Sequence, residues 1–222
     1  YDEAMEAYQT AADLGSVGAL NNMATLHENG EGVPASPETA YQLYLQAAEA
    51  GDLDGMTNVA RLLEYGRGTT KDVVQAVSWY QRAADAGDGF AITKLALYHI
   101  DGSAGLAKDP KQGFELFKRG IELKEPLAMV SAAVLIDAGF GKYLPDYTSV
   151  DLLLRTLETG ESGVQAIVGA TTLENQELKP ETIRALQKTL IEKQFFSGNA
   201  DGTFNLRFVQ AMENYAPSAA SQ

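Results

Sequence analysis

Few residue types in this chain could do chemistry, and they are scattered. The two histidines, His27 and His99, stand 72 positions apart, and neither has a second histidine one helical turn on with which to share a metal. The chain has no cysteine, which removes disulfides, thiolate catalysis and cysteine-type zinc sites without choosing a compartment. Carboxylates are plentiful, Glu28 with Glu31 and Asp52 with Asp54 among them. Acidic loops are expected in a chain of this composition, and nothing in the sequence marks one pair as desolvated. The serines lack a nucleophile elbow, and no Ser-His-Asp set can be assembled around these histidines. The loops Gly30–Gly32 (GEG) and Gly66–Gly68 (GRG) are too short to cradle a phosphate. The residues therefore predict no catalytic set, no metal and no cofactor, and so a protein that is not an enzyme.

Composition narrows the partners. Asp and Glu number 30 against 17 Lys and Arg, a formal net charge of −13 over 222 residues. This disfavours nucleic acid and anionic lipid, both of which call for clustered cations. No apolar run approaches the ~20 residues that cross a bilayer. There is no basic-then-apolar start, so no signal peptide is expected within the chain.

What organises the chain is repetition. The stretch 71–88, KDVVQAVSWYQRAADAGD, reads as an amphipathic helix with Asp72 as N-cap. It recurs 36 residues earlier as SPETAYQLYLQAAEAGD and, in weaker form, 37 later as KDPKQGFELFKRGIEL. A helix is predicted between each pair: Val17–Asn29, Leu53–Tyr65 and 90–101. Ala24, Ala60 and Ala96 share one register, where a small residue allows a close crossing. The aromatics Tyr8, Tyr44, Tyr80 and Phe117 share another and are expected in the core. A fixed period outranks any local motif, because it fixes the architecture. The prediction is all-α: an α-solenoid of antiparallel helix pairs. The opening helix lacks its partner, so the chain is expected to start inside a longer array.

The combination A…M/L-A-x-L…G-x-G…A-x-x-x-Y-x-x-A-A-x-x-G resembles the Sel1-like repeat, a relative of the tetratricopeptide repeat, over roughly residues 1–175. It is strongest in the units ending at Gly51 and Gly87. In the next, Gly120-Ile121 replaces the Ala-Ala pair and Lys124 stands where glycine did. Residues 162–175 read as an unpaired first helix closing the stack. The resemblance implies a scaffold or adaptor.

The pattern stops near Leu178. Residues 179–216 resemble a peptidoglycan-binding module, on Ile183, Leu186-Gln187, Leu190, Phe195-Phe196-Ser197-Gly198, Asp201-Gly202-Thr203-Phe204 and Ala211…Tyr215. That family has a helix, a tight DG-x-F turn and a second helix. Gln194 replaces a family glycine, and Asn205 and Phe208 depart from the residues after the turn. The expected domains are 1–177, a repeat array with its first repeat truncated; 178–216, the wall-like helical module; and 217–222, a disordered tail.

Two sets of contact residues follow. Asn22, Asn58 and Lys94 share a register on the first helices, as do Thr25, Arg61 and Leu97 one turn on. In solenoids such a face lines a concave binding surface. They are the expected protein-partner residues, and Arg61→Glu with Asn58→Ala is expected to weaken a partner without unfolding the array. For peptidoglycan contact the resemblance points to Phe196, Asp201 and Tyr215, and Asn205 and Arg207 flank the turn. The pairing of repeats with a wall-like module resembles the periplasmic region of alphaproteobacterial polar localization factors. This implies a periplasmic scaffold at a cell pole, tied to the membrane only through a segment outside this chain. The alternatives are a periplasmic regulator of a sensor kinase and an accessory subunit of a cell-wall hydrolase.

Overall fold

The computed structural model describes residues 2–172 and 178–220. Among them are twelve α-helices and no strand. They are α1 (Asp2–Asp13), α2 (Val17–Asn29), α3 (Pro37–Glu49), α4 (Leu53–Tyr65), α5 (Val73–Asp85), α6 (Gly89–Asp101), α7 (Pro110–Glu122), α8 (Pro126–Leu135), α9 (Ser149–Leu157), α10 (Glu161–Thr172), α11 (Pro180–Glu192) and α12 (Leu206–Ala220). The chain divides into two compact units: residues 1–98 with 102–108, and 99–101 with 109–222.

Local chemistry sets the helix ends. The carboxylates of Asp52, Asp72, Asp88 and Asp109 each accept the backbone N–H three residues on, at 2.6–3.0 Å. This satisfies one of the donors that a helix start leaves open. Each second helix ends in a residue with positive φ: Gly15, Gly51 and Gly87 at 90–98°. The next N–H then reaches back five residues, as in Asp52 N to Ala47 O and Asp88 N to Ala83 O. Lys124 occupies the same position at φ 58°, and Glu125 N still reaches Gly120 O. The turn survives the loss of its glycine because the hydrogen bonds hold a lysine in the left-handed region.

In the first unit α2 packs on α3, α3 on α4 and α4 on α5. Its core is alanine-rich: Ala24, Ala40, Ala47, Ala48, Ala60, Ala76, Ala83 and Ala84 are fully covered. Tyr44 and Tyr80 are buried among them, as their register predicts. The helices meet closely. A Cβ on Gly55 would lie 2.8 Å from Ala48 N and 3.0 Å from Ala47 Cβ.

The second unit departs from the regular pattern after α8. Residues Ile136–Phe140 form a π-helical turn in which Gly139 adopts φ 101°. A short 3-10 turn follows at Gly141–Tyr143. The detour places Tyr143 flat on Phe114 of α7, centroids 5.0 Å apart. α10 packs on α8 and α9 and is also met by α12, so it is not the unpaired helix expected. The apolar face a repeat helix leaves behind is covered by the last helix of the chain. The expected end of α10, residues 173–175, lies outside the described residues. α11 packs on α9, and α12 extends to Ala220, four residues into the expected tail.

Two substitutions test the close packing and the borrowed turn. Gly55→Val should lower stability by about 1–3 kcal/mol, because a backbone nitrogen occupies the space its side chain needs. Lys124→Gly should raise it by about 0.5–1 kcal/mol: left-handed strain of about 1–2 kcal/mol is relieved against a smaller gain in unfolded-chain freedom. Thermal or urea unfolding reads both.

Candidate functional site

The registers predicted to face a partner are occupied by contacts within the chain. Glu28, near the end of α2, is 7% exposed at its side chain, and Arg61 of α4 grips it with both arms: Nη1 to Oε1 at 2.8 Å and Nη2 to Oε2 at 2.6 Å. Arg67 approaches the same carboxylate at 3.4 Å, and Tyr44 Oη donates to it at 3.2 Å. Thr25 is hydrogen-bonded to that hydroxyl at 3.0 Å. Asn58 joins from the side, donating to Asn21 Oδ1 and accepting from Arg61. The Arg61 hydrogen bond is the main reason the Glu28 carboxyl sits below its ordinary value, overcoming the opposing effect of burial. Burial pushes the Tyr44 hydroxyl up to about 12.

One repeat on, the same arrangement is built from different residues. Glu64 accepts from Tyr80 Oη at 2.9 Å and pairs with Lys94 at 3.0 Å. Burial raises the Glu64 pKa, but the Tyr98 and Tyr80 hydroxyls and Lys94 together outweigh it and hold the carboxyl low. The Lys94 ammonium lies 5.5–6.0 Å from the rings of Tyr98, Tyr65, Phe90 and Tyr80. Tyr65 is 59% exposed and Phe90 38%, so two large aromatics flank a charge at the surface. The sequence reading missed both, although aromatic residues at helix ends beside a lysine were visible in it.

Of the six expected partner residues, only Asn22 is fully exposed; Thr25, Asn58, Arg61, Lys94 and Leu97 are half-buried. The expectation that Arg61 could be reversed without structural cost is corrected by its bidentate bond to Glu28. The histidines share their register with Leu63. His27 O, Leu63 O and His99 O each accept the N–H that opens the next helix, from Ser36, Asp72 and Asp109. A register that leucine fills equally well does not require imidazole chemistry. The carboxylate pairs also separate by role. Asp52 caps α4, and Asp54 has its pKa raised by burial first and then by Asp52 and Asp88. Glu31 accepts from Asn29.

The C-terminal residues are placed as follows. Phe196 is 8% exposed and meets Phe208 edge-on at 5.7 Å, and Tyr215 is 7% exposed against the Phe195 ring. Both expected sugar platforms are therefore turned into the core. Asp201 accepts from Thr203 N and Oγ1, which holds its carboxyl low, and so closes the turn. Asn205 caps α12 by accepting from Phe208 N. Asp201, Asn205 and Arg207 are exposed, and Arg207 lies beside a cleft. The DG turn is pinned by Gln187, which is fully buried: its amide donates to Thr203 O and accepts from Gly202 N.

Asp137 was not singled out by the sequence reading. Buried in the π turn, it accepts from Ser149 Oγ on α9, from Thr182 Oγ1 on α11 and from Lys179 N. One carboxylate thus ties the repeat helices to the start of α11. The signal was an aspartate inside the apolar run AAVLIDAGF.

Short helix pairs that pack one on the next at close crossings define an α-helical repeat architecture. Residues 17–52, 53–88 and 89–124 each match the Sel1 repeat. In structure it is similar to a Sel1 repeat protein from Oxalobacter formigenes, at 19% identity and TM-score 0.64 over 98% of this chain and 95% of that one. It is similar to a protective antigen of uropathogenic Escherichia coli with an SLR fold, at 16% identity and TM-score 0.62; it spans 40% of that chain. An immunity protein from Pseudomonas aeruginosa matches at 16% identity and TM-score 0.54, over 72% of its length. At these identities the likeness is one of fold. No curated protein matches the chain.

The ionic seam predicts a pH signature. The Glu28 pKa is depressed, so its contribution to stability is present above the ordinary carboxylate value and lost as pH falls through the folded one. The Tyr44 pKa is raised, so its contribution is present below about pH 10 and lost toward pH 12. Glu28→Gln should cost about 1–3 kcal/mol at pH 7, between the exposed and buried limits for ion pairs. It should also flatten the acid limb of a stability–pH profile below about pH 5. An acid limb as steep as that of the unsubstituted protein would remove Glu28 from the linkage.

Proposed function

We propose that this protein is a non-enzymatic periplasmic scaffold of the bacterial cell envelope that helps to organise a cell pole through protein–protein contacts. The observation that carries it is the exposed pair Tyr65 and Phe90 flanking Lys94 across two successive Sel1-matching segments. Tyrosine is among the residue types in which binding energy concentrates, and aromatics as a class are enriched at interfaces. The repeats supply a rigid frame for such a patch, which favours association over catalysis. The envelope and polar part of the reading is supported by the sequence pairing of Sel1-like repeats with a wall-like C-terminal segment, which resembles polar localization factors of the PodJ type.

Contact with peptidoglycan belongs to the same proposal in a restricted form. With Phe196 and Tyr215 buried, sugar stacking has no exposed ring among the five residues considered, so any wall contact falls to the exposed polar residues Asp201, Asn205 and Arg207. The polar-scaffold reading is tested by a fluorescent fusion of the gene that encodes this chain. Polar foci are expected, and Tyr65→Ala with Phe90→Ala should disperse them while the melting temperature of the purified chain stays within a few degrees. A diffuse signal from the unsubstituted fusion would defeat the polar reading. Co-sedimentation with purified sacculi addresses the wall: pelleting no greater than that of an equally acidic control would end the peptidoglycan part.

A further inference from the structure

The second unit carries a cleft beside Arg207 whose ligand can be argued from its own lining. It has a volume of about 280 Å³ and lies between the turn after α11 and one face of α12. Its floor is apolar, formed by Phe195, Phe196 and Ala211. Its rim is polar: Arg207, Gln210 and Asn214 recur at helical spacing along α12. The floor is held in shape by Gly198. A Cβ there would lie 2.4 Å from Phe196 Cζ, so the backbone of the turn rests directly on the ring.

Among the described residues no carboxylate pairs with Arg207, so its guanidinium is open to a ligand; the ion pairs involve Arg61, Arg67, Lys94 and Lys118. Beside it, the Gln210 amide nitrogen is committed to Glu213 at 3.0 Å, which leaves its carbonyl oxygen as an acceptor. A guanidinium next to a carbonyl acceptor, above an apolar floor, matches one ligand chemistry: a terminal carboxylate with an amide N–H close behind it. The geometry points to a binding cleft for the free C-terminus of a partner polypeptide. Its α-carboxylate is taken bidentately by Arg207, its last N–H by Gln210, and a small apolar last side chain rests on Phe195 and Phe196.

Volume and charge support this occupant over others. Sites for whole drug-sized ligands run from about 300 to 1,000 Å³, so this cleft suits the last one or two residues of a chain. A single guanidinium balances one negative charge. A phosphate dianion would leave excess charge facing the Gln210 oxygen. The inference does not rest on the envelope reading and is tested without it.

The probe is acetyl-Gly-Ala-Leu as free acid and as C-terminal amide, titrated into the whole chain and followed by amide chemical shifts. The acid should shift Arg207, Gln210, Ala211 and Asn214, with affinity at least roughly tenfold above the amide. Arg207→Gln should remove that preference without changing the melting temperature. Gln210→Glu, a surface change, should weaken the acid by like-charge repulsion. Equal binding of acid and amide, no binding of the acid, or an unaltered preference in Arg207→Gln each overturns the inference. So does competition by inorganic phosphate at equal strength. Binding of a D-alanyl stem peptide but not of the L-peptide acid would overturn it in favour of a wall ligand.

Discussion

Close helix crossing is the constraint on which the rest of the first unit depends. Alanine or glycine at the contact positions draws the helices together until Gly55 has a backbone nitrogen where a side chain would begin. At that separation a carboxylate near the end of a first helix cannot stay in water. Glu28 and Glu64 are therefore covered, and a covered carboxylate is tolerated only with donors around it. Each receives a tyrosine hydroxyl from the following helix and a cation from the next repeat. In the third unit the register of Glu28 and Glu64 holds Ile100, and the register of Tyr44 and Tyr80 holds Phe117. Acid and hydroxyl disappear together, as expected if each is present only to satisfy the other.

The fold was legible because its instructions are local and periodic. Caps at Asp72 and Asp109, glycines at 36-residue spacing and alanine registers can all be read from a string, whereas the cap at Asp52 reads as one more acidic loop residue. Legibility faded where geometry persists but residue identity does not. Lys124 keeps the left-handed turn without glycine, and Gln194 does the same after α11, at φ 65° with Phe195 N reaching back to Leu190 O. A small residue at the third position of the first helix continues through Ala19, Gly55, Ala91, Ala128 and Gly163, well past the three matched repeats. The π turn at Ile136–Phe140 breaks the period and hides the continuation from a register count.

The candidate contacts were less legible, because burial is not a property of a residue type. Arg61 and Lys94 lie in different registers, one turn apart, yet both serve the same carboxylate register; an alignment by period treats them as unrelated surface positions. Phe196 and Tyr215 share an aromatic character with sugar platforms, but the fold decides which face of a ring meets solvent, and here neither does. Gln187 and Asp137 read as ordinary polar residues until their partners, twelve or more positions away, are known.

Carboxylates outnumber bases nearly two to one, yet most cations stand outside the ion pairs among the described residues, and a two-armed grip such as that of Arg61 on Glu28 is uncommon. Acids such as Asp52, Asp72, Asp88 and Asp109 are committed as helix caps, which are satisfied by backbone N–H groups and need no cation. What makes a cation beside a cleft informative is its setting, the apolar floor and the neighbouring acceptor. Glu213, six residues further along the same helix, lies on a different face from Arg207 and is bonded to Gln210. The arrangement keeps positive charge and an acceptor side by side at the edge of an apolar floor, and that pairing recognises a chain end more readily than it stabilises a helix.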